Sequence, residues 1–237
     1  MATSTVLLLH AFPLDARMWD GARPALEGAG FDVVAPNLPG PDLELGFDAW
    51  APRILGLVEG DFVPVGSSMG GYLSFELWRQ VPQRLPAIAL VGTRATPDSP
   101  EQRQARDDSI QLLGEAGREP FWDQLAPRMF PDGADPDVVA GARAVALEQP
   151  ITALVATQET IRDRVDSRPT LPTIDVPVLV VVGEEDRLTP PSDSEAMVTA
   201  LPNARFSRIA GVGHLPPLER PDAVAELLVG FLEEVAR

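Results

Sequence analysis

Phe62-Val63-Pro64-Val65-Gly66-Ser67-Ser68-Met69-Gly70-Gly71 is an apolar run that stops at a glycine, passes through two serines and continues into the helix-compatible segment 69–80. When a strand turns abruptly into a helix with the pattern G-x-S-x-G, the serine occupies a strained turn where side chains two positions away would collide. Ser68 has Gly66 and Gly70 at those offsets, whereas Ser67 has Val65 and Met69. The pattern therefore singles out Ser68 as a nucleophile, the plainer alternative being a glycine-rich turn that binds nothing. Pro64 is awkward inside such a strand because it removes a ladder donor, and a local bulge is expected to absorb it.

The same alternation runs through both flanks. Short apolar runs at Val6–Leu9, Phe31–Ala35, Ala87–Val91, Val178–Val182 and Arg205–Ile209 join Phe62–Val65 as candidate strands. Several are continuous in hydrophobicity, as expected of strands buried on both faces. Between them the spacing predicts helices over about 18–29, 47–58, 69–80, 191–200 and 220–235. The fold class is α/β: a mostly parallel sheet of about six strands flanked by helices.

The rhythm breaks from 96 to 170, where apolar spacing becomes purely helical. Ser99-Pro100-Glu101 and Asp135-Pro136-Asp137 read as capped helix starts. Helices are predicted at about 100–114, 119–130, 136–148 and 151–166, too much chain for one crossover. The expected organisation is a core of residues 1–95 and 171–237 with a helical cap, or lid, at 96–170. Within it, Phe121–Phe130 carries more large apolar side chains than a solvated helix needs. Trp122, Met129 and Phe130 face either the other cap helices or the mouth of a pocket.

Composition removes whole classes of chemistry. The 237 residues include 35 acids and 19 bases, for a net charge of −16, which disfavours nucleic acid and anionic membrane surfaces as partners. All 19 bases are arginine, so Schiff-base catalysis and a lysine-dependent phosphate loop are absent. There is no cysteine, and the histidines are His10 and His214 alone, which leaves no thiol nucleophile, no thiolate metal site and little basis for a histidine-based metal centre. The segment MATSTVLLLHAF has neither a basic n-region nor a long apolar stretch, and a cytoplasmic location is expected. The lysine-free balance fits either salt adaptation or genome composition.

Two further loops complete the pattern. Gly183-Glu184-Glu185-Asp186-Arg187-Leu188-Thr189-Pro190 follows the run at 178–182, where open α/β sheets place their sites, although an acidic surface loop is the plainer reading in so acidic a chain. Gly211-Val212-Gly213-His214-Leu215-Pro216-Pro217 lies between the last strand and the last helix, and a lone loop histidine is often simply solvated. Their joint order, serine, then acid, then histidine, is that of α/β-hydrolases. With LLLHAFPLDARMW, VGSSMGGY, VVVGEEDRLTPP and AGVGHLPPLERPDAV, the chain resembles a capped α/β-hydrolase of the lactonase, haloperoxidase and esterase-like group.

The resemblance implies Ser68 as nucleophile, Asp186 rather than Glu184 or Glu185 as orienting acid, and His214 as general base. It implies oxyanion donors at the backbone N–H groups of Phe12 and Met69; for Met69, a helix N-terminus gives an independent reason. It also implies that Trp19 walls the pocket, against the alternative of a core tryptophan. The chain departs from the family in lacking two leading antiparallel strands and in the short loop NLPGPDLELGF, with Asn37 where aspartate is commoner. The implied reaction is hydrolysis of a small carboxylic ester through an acyl-enzyme, with no cofactor and no metal. The alternatives are a lactonase resembling 3-oxoadipate enol-lactonase, a perhydrolase or haloperoxidase, a C–C hydrolase, and a non-catalytic ligand-binding protein. A lactone bearing carboxylates would use a pocket arginine, for which Arg94 is the candidate; otherwise Arg94 is a surface charge pairing with Asp98.

Overall fold

The computed structural model describes residues 5–38 and 45–236. Six strands, β1 (Thr5–Leu9), β2 (Asp32–Val34), β3 (Phe62–Ser67), β4 (Ile88–Val91), β5 (Val178–Gly183) and β6 (Ala204–Ile209), form one parallel sheet in the order β2-β1-β3-β4-β5-β6. The helices are α1 (Arg23–Gly28), α2 (Phe47–Leu55), α3 (Met69–Gln80), α4 (Pro100–Ala116), α5 (Arg118–Met129), α6 (Pro136–Glu148), α7 (Ile151–Arg162), α8 (Pro191–Ala200), α9 (Pro216–Glu219) and α10 (Pro221–Val235).

The continuous apolar runs have a simple cause. Side chains alternate across a strand, and both faces of this sheet are covered, so every position needs an apolar residue. Val6, Leu8, Val63, Val65, Leu179 and Val181 point into one layer with Trp19, Leu26, Leu228 and Phe231 of the N- and C-terminal helical segments. Leu7, Leu9, Phe62, Val178 and Val180 point into the other, against Trp50, Leu73, Leu77 and Met197 of α2, α3 and α8. Burying a side chain of this size is worth about 1.5–3 kcal/mol, so two such layers fix the register of the sheet.

Three local expectations need correction. Pro64 requires no bulge. The β1–β3 register runs unbroken through Leu7↔Pro64, and the β3–β4 register starts at Val65↔Ala89, beyond the missing donor. The helix expected at 18–29 is two pieces, a 3-10 turn at Ala16–Trp19 capped by the Asp15 side chain, then α1, which begins at Arg23-Pro24. The helices expected to end at 58 and 166 stop earlier, at Leu55 before Gly56 and at Arg162. The short loop noted above falls mostly on residues 39–44, outside the described residues.

Between β4 and β5 the chain forms α4 to α7, and α4 packs on both α5 and α7. Among the described residues no single helix is long and apolar enough to cross a membrane. The strand order places a topological switch between β1 and β3, because the chain leaves β1 to one side for β2 and returns to the other for β3. Parallel α/β sheets open a crevice at the carboxyl ends of the strands flanking such a switch. Phe12 follows β1 and Ser68 follows β3 at that point.

Candidate active site

Ser68 is held at φ 48° and ψ −106°, the one non-glycine residue with positive φ among the described residues. The turn is enforced from both sides. A Cβ at Gly66 would lie 2.4 Å from the backbone of Gly70, and one at Gly70 would lie 2.2 Å from the carbonyl oxygen of Leu9. Only hydrogen fits at either position, which is the steric content of the G-x-S-x-G pattern. The Ser68 N–H donates to the carbonyl of Val91 at 2.8 Å, and the Thr93 hydroxyl donates to the carbonyl of Ser68 at 2.8 Å. Ser68 remains partly open to solvent, whereas Ser67 is fully buried.

His214 and Asp186 meet this serine. The Ser68 hydroxyl lies 2.9 Å from His214 Nε2, and His214 Nδ1 lies 2.8 Å from Asp186 Oδ2. With Nδ1–H donating to the carboxylate, Nε2 is left as the acceptor for the serine proton. Asp186 also accepts from the N–H groups of Leu188 and Thr189, each at 2.8 Å, and from the Thr189 hydroxyl at 2.8 Å. Burial pushes the Asp186 carboxyl up, but His214 and the Thr189 bonds outweigh it and hold it below the ordinary carboxylate value. Glu184 and Glu185 are exposed and take no part.

The Phe12 N–H has no acceptor among the described residues, and Met69, the first residue of α3, has no intrahelical acceptor for its own. Two amides beside Ser68, one at the positive end of a twelve-residue helix, can receive a developing oxyanion. His10 is separate from this chemistry. It is buried, accepts from the Leu38 N–H on Nε2 at 2.8 Å, and is kept neutral chiefly by burial, which lowers its pKa to about 4. Asn37 accepts from the Ala16 N–H at 3.0 Å, tying its loop to the chain after β1.

A cavity of about 210 Å³ opens onto Ser68 and His214. Its walls come from Phe12, from Tyr72 of α3, from Arg94 beyond β4, and from single faces of three helices. Gln102, Ala105, Arg106 and Ser109 line it from α4; Phe121, Gln124, Leu125 and Arg128 from α5; Gln158 and Ile161 from α7. The first two sets have the i, i+3, i+4, i+7 spacing of one helical face.

Arg94 does line the cavity, and it pairs with Asp98 at 3.3 Å, but with its side chain 11% exposed it is not a surface charge. The other wall residues expected from sequence do not. Trp19 is fully buried in the sheet-facing core. Trp122 and Met129 of α5, and Phe130 just beyond it, do not line the cavity but are buried in that same core, with the Trp122 and Phe130 rings 6.3 Å apart. Of the two alternatives for these residues the packing one holds: they anchor α5 in a core that includes Ala142 and Ala146 of α6, while Phe121, Gln124, Leu125 and Arg128 line the cavity. Thr189 and Glu219 were not singled out by sequence. Glu219 accepts from the N–H groups of Gly213 and Leu215 at 2.9 and 3.0 Å, clasping the loop on both sides of His214. Burial raises the pKa of Glu219 against those two bonds.

The model of the alpha/beta hydrolase family matches residues 6–227. This chain is an alpha/beta hydrolase. It is 28% identical to the pimeloyl-[acyl-carrier protein] methyl ester esterase of Aromatoleum aromaticum, over 98% of both chains. Among solved structures it superposes on a thermophilic esterase from Thermogutta terrifontis with a TM-score of 0.90 at 32% identity, covering 99% of this chain and 91% of that one. The enol-lactonase of Burkholderia xenovorans LB400 gives a TM-score of 0.84 at 26% identity, with 98% and 92% covered.

Proposed function

We propose that this alpha/beta hydrolase cleaves small carboxylic esters through an acyl-enzyme on Ser68. The observation that carries the reading is the unbroken hydrogen-bonded chain from the Ser68 hydroxyl through both nitrogens of His214 to Asp186, ending at a cavity. His214 Nε2 takes the hydroxyl proton as Ser68 Oγ attacks the carbonyl carbon. The oxyanion settles against the N–H groups of Phe12 and Met69, and Asp186 stabilises the imidazolium. The imidazolium then gives its proton to the departing alcohol. Water, deprotonated by His214, attacks the acyl carbon and releases the acid. The esterases among its relatives support acyl–oxygen cleavage. Helices α4 to α7, spanning most of 96–170, act as the cap over this site, and the cavity, smaller than the roughly 300–1,000 Å³ of drug-sized pockets, favours short acyl chains.

A second reading, lactone hydrolysis by the same steps, draws on Arg94 in the cavity wall and on the likeness to an enol-lactonase. The test is direct. A fluorophosphonate probe is expected to label Ser68, and p-nitrophenyl acetate or butyrate to be hydrolysed faster than the octanoate. Ser68→Ala should lose both labelling and turnover. Folded wild type that neither labels nor turns over esters or lactones would reduce the protein to a binding module.

A further inference from the structure

The cavity wall contradicts the charge of the chain around it. Acids outnumber arginines 35 to 19, yet the residues lining the cavity include Arg94, Arg106 and Arg128 and, among the described residues, no aspartate or glutamate. Behind the wall, one carboxylate serves three guanidinium groups. Asp98, whose side chain is fully buried, is held by Arg106, by Arg164 at 2.6 Å and by Arg94 at 3.3 Å.

These arginines are not equally spent. Arg164 is 3% exposed, donates to Asp98 and to the carbonyls of Ile161 and Thr96, and stacks over the Tyr72 ring at 4.4 Å. Its function is to hold α7 against the chain after β4. Arg106 bonds Asp98 and, at 2.7 Å, the side-chain oxygen of Gln158. Arg94 makes a long bond to Asp98, pairs with Asp193 at 3.8 Å and is also hydrogen-bonded to Tyr72, yet its Nε is buried without an acceptor. Arg128, at the mouth, pairs with no acid among the described residues. Arg94 and Arg106 are largely withdrawn from water while Arg128 is exposed, and the buried Arg94 Nε, a cationic donor without an acceptor, is costly unless an anion completes the wall.

We propose that the substrate cleaved at Ser68 carries a free carboxylate, received in the cavity by Arg94 and Arg106 with Arg128 at the mouth. The planar guanidinium fork suits a carboxylate in two-point contact, and Gln158, whose oxygen is committed to Arg106, keeps its amide N–H groups for the same ligand. With a cavity of about 210 Å³, the fitting compounds are half-esters of short dicarboxylic acids, acylated short hydroxy acids, and lactones bearing an acid group. This assignment rests on the esterase reading above and narrows its substrate class.

The experiment compares matched pairs that differ only in charge at pH 7: monomethyl glutarate against dimethyl glutarate, which puts the acid on the acyl side, and acetoxyacetate against its methyl ester, which puts it on the alcohol side. In at least one pair kcat/KM is expected to be about 10- to 100-fold higher for the charged member, the scale of one charge-assisted contact. That ratio should fall towards one in Arg94→Gln, mainly through KM, and stay at the wild-type value in Arg205→Gln, a control far from the cavity. It should also shrink as salt rises. Turnover of the neutral esters with no preference for the acid in either pair overturns the proposal and leaves the esterase reading intact. Preference for the neutral member in both pairs overturns it as well. Absence of all turnover together with absence of Ser68 labelling removes the esterase reading itself. The wild-type pairs decide the matter even if Arg94→Gln fails to fold.

Discussion

The backbone N–H of His214 donates to the carbonyl of Met129 at 2.7 Å, so the loop after β6 hangs from the last turn of α5. The approach is close enough that a Cβ at Gly213 would lie 2.5 Å from that same carbonyl oxygen. The helix that supplies part of the cavity wall therefore also sets the height of the imidazole above Ser68.

Glu219 holds the loop from the other side, and its removal is expected to loosen His214 without touching substrate. Glu219→Ala should lower kcat by about 10-fold or more with little change in KM, since two buried N–H groups lose their acceptor. Glu219→Gln, which keeps an acceptor oxygen, should recover much of the loss. Equal loss in both variants, or loss confined to KM, would show that the carboxylate does not position the loop.

His214→Gln is expected to lower kcat by about 10³-fold or more, because nucleophile, base and acid act as a unit. Asp186→Asn should also be severe, by mis-setting the imidazole tautomer, whereas Glu184→Gln and Glu185→Gln, on exposed side chains, should lie within about twofold of wild type. Steady-state kinetics on one short ester checks all four.

The buried His10 makes stability depend on pH. Its pKa is about 4 in the fold against 6.5 for the free side chain, so below 6.5 the unfolded chain binds a proton that the folded chain refuses. Stability from this source is full above pH 6.5 and falls as pH drops towards 4, by a total on the order of 3 kcal/mol. Urea unfolding from pH 7 to 4.5 should show a steeper decline for wild type than for His10→Gln. Parallel declines would mean that the histidine is not held neutral.

The two faces of α5 are expected to respond differently to truncation. Trp122→Ala should cost about 3–5 kcal/mol by thermal or urea unfolding and leave the acyl-chain profile in place. Phe121→Ala enlarges the cavity and should shift preference towards longer acyl chains. A shifted profile in Trp122→Ala would return that ring to the pocket.

The sheet was legible in the sequence because burial on both faces leaves strands no freedom but to be apolar; Val178–Val182 could hardly be anything else. The serine was legible because Gly66 and Gly70 mark a steric requirement. The wall was harder. On α5 the core-facing and cavity-lining residues lie side by side, with Glu119, Asp123 and Pro127 exposed on the remaining side, so spacing does not say which apolar residue meets the cavity, and the aromatic residues that looked like substrate contacts are its anchors. Glu219 carried no signal as a single acid among 35, and Asp98 was legible only as a partner for Arg94; that it also holds Arg106 and Arg164 depends on helices brought to it by the fold. The split of the first helix followed from Pro24, whose place at a helix start was readable but outweighed by the apolar spacing around it.

The sheet ends in two edges, three residues long at β2 and six at β6, and each is a poor template for an incoming strand. β2 offers three residues to an incoming strand, and β6, the other edge, carries exposed Arg205 and Arg208, paired with Glu234 and Glu195. Arg208 also lies over the Phe206 ring at 5.3 Å, shielding the apolar side chain on that edge. Flat apolar edges recruit copies of themselves into extended sheets, and charges with a brief edge deny them that template. Replacing both arginines by valine should make the protein precipitate on warming before its core has melted.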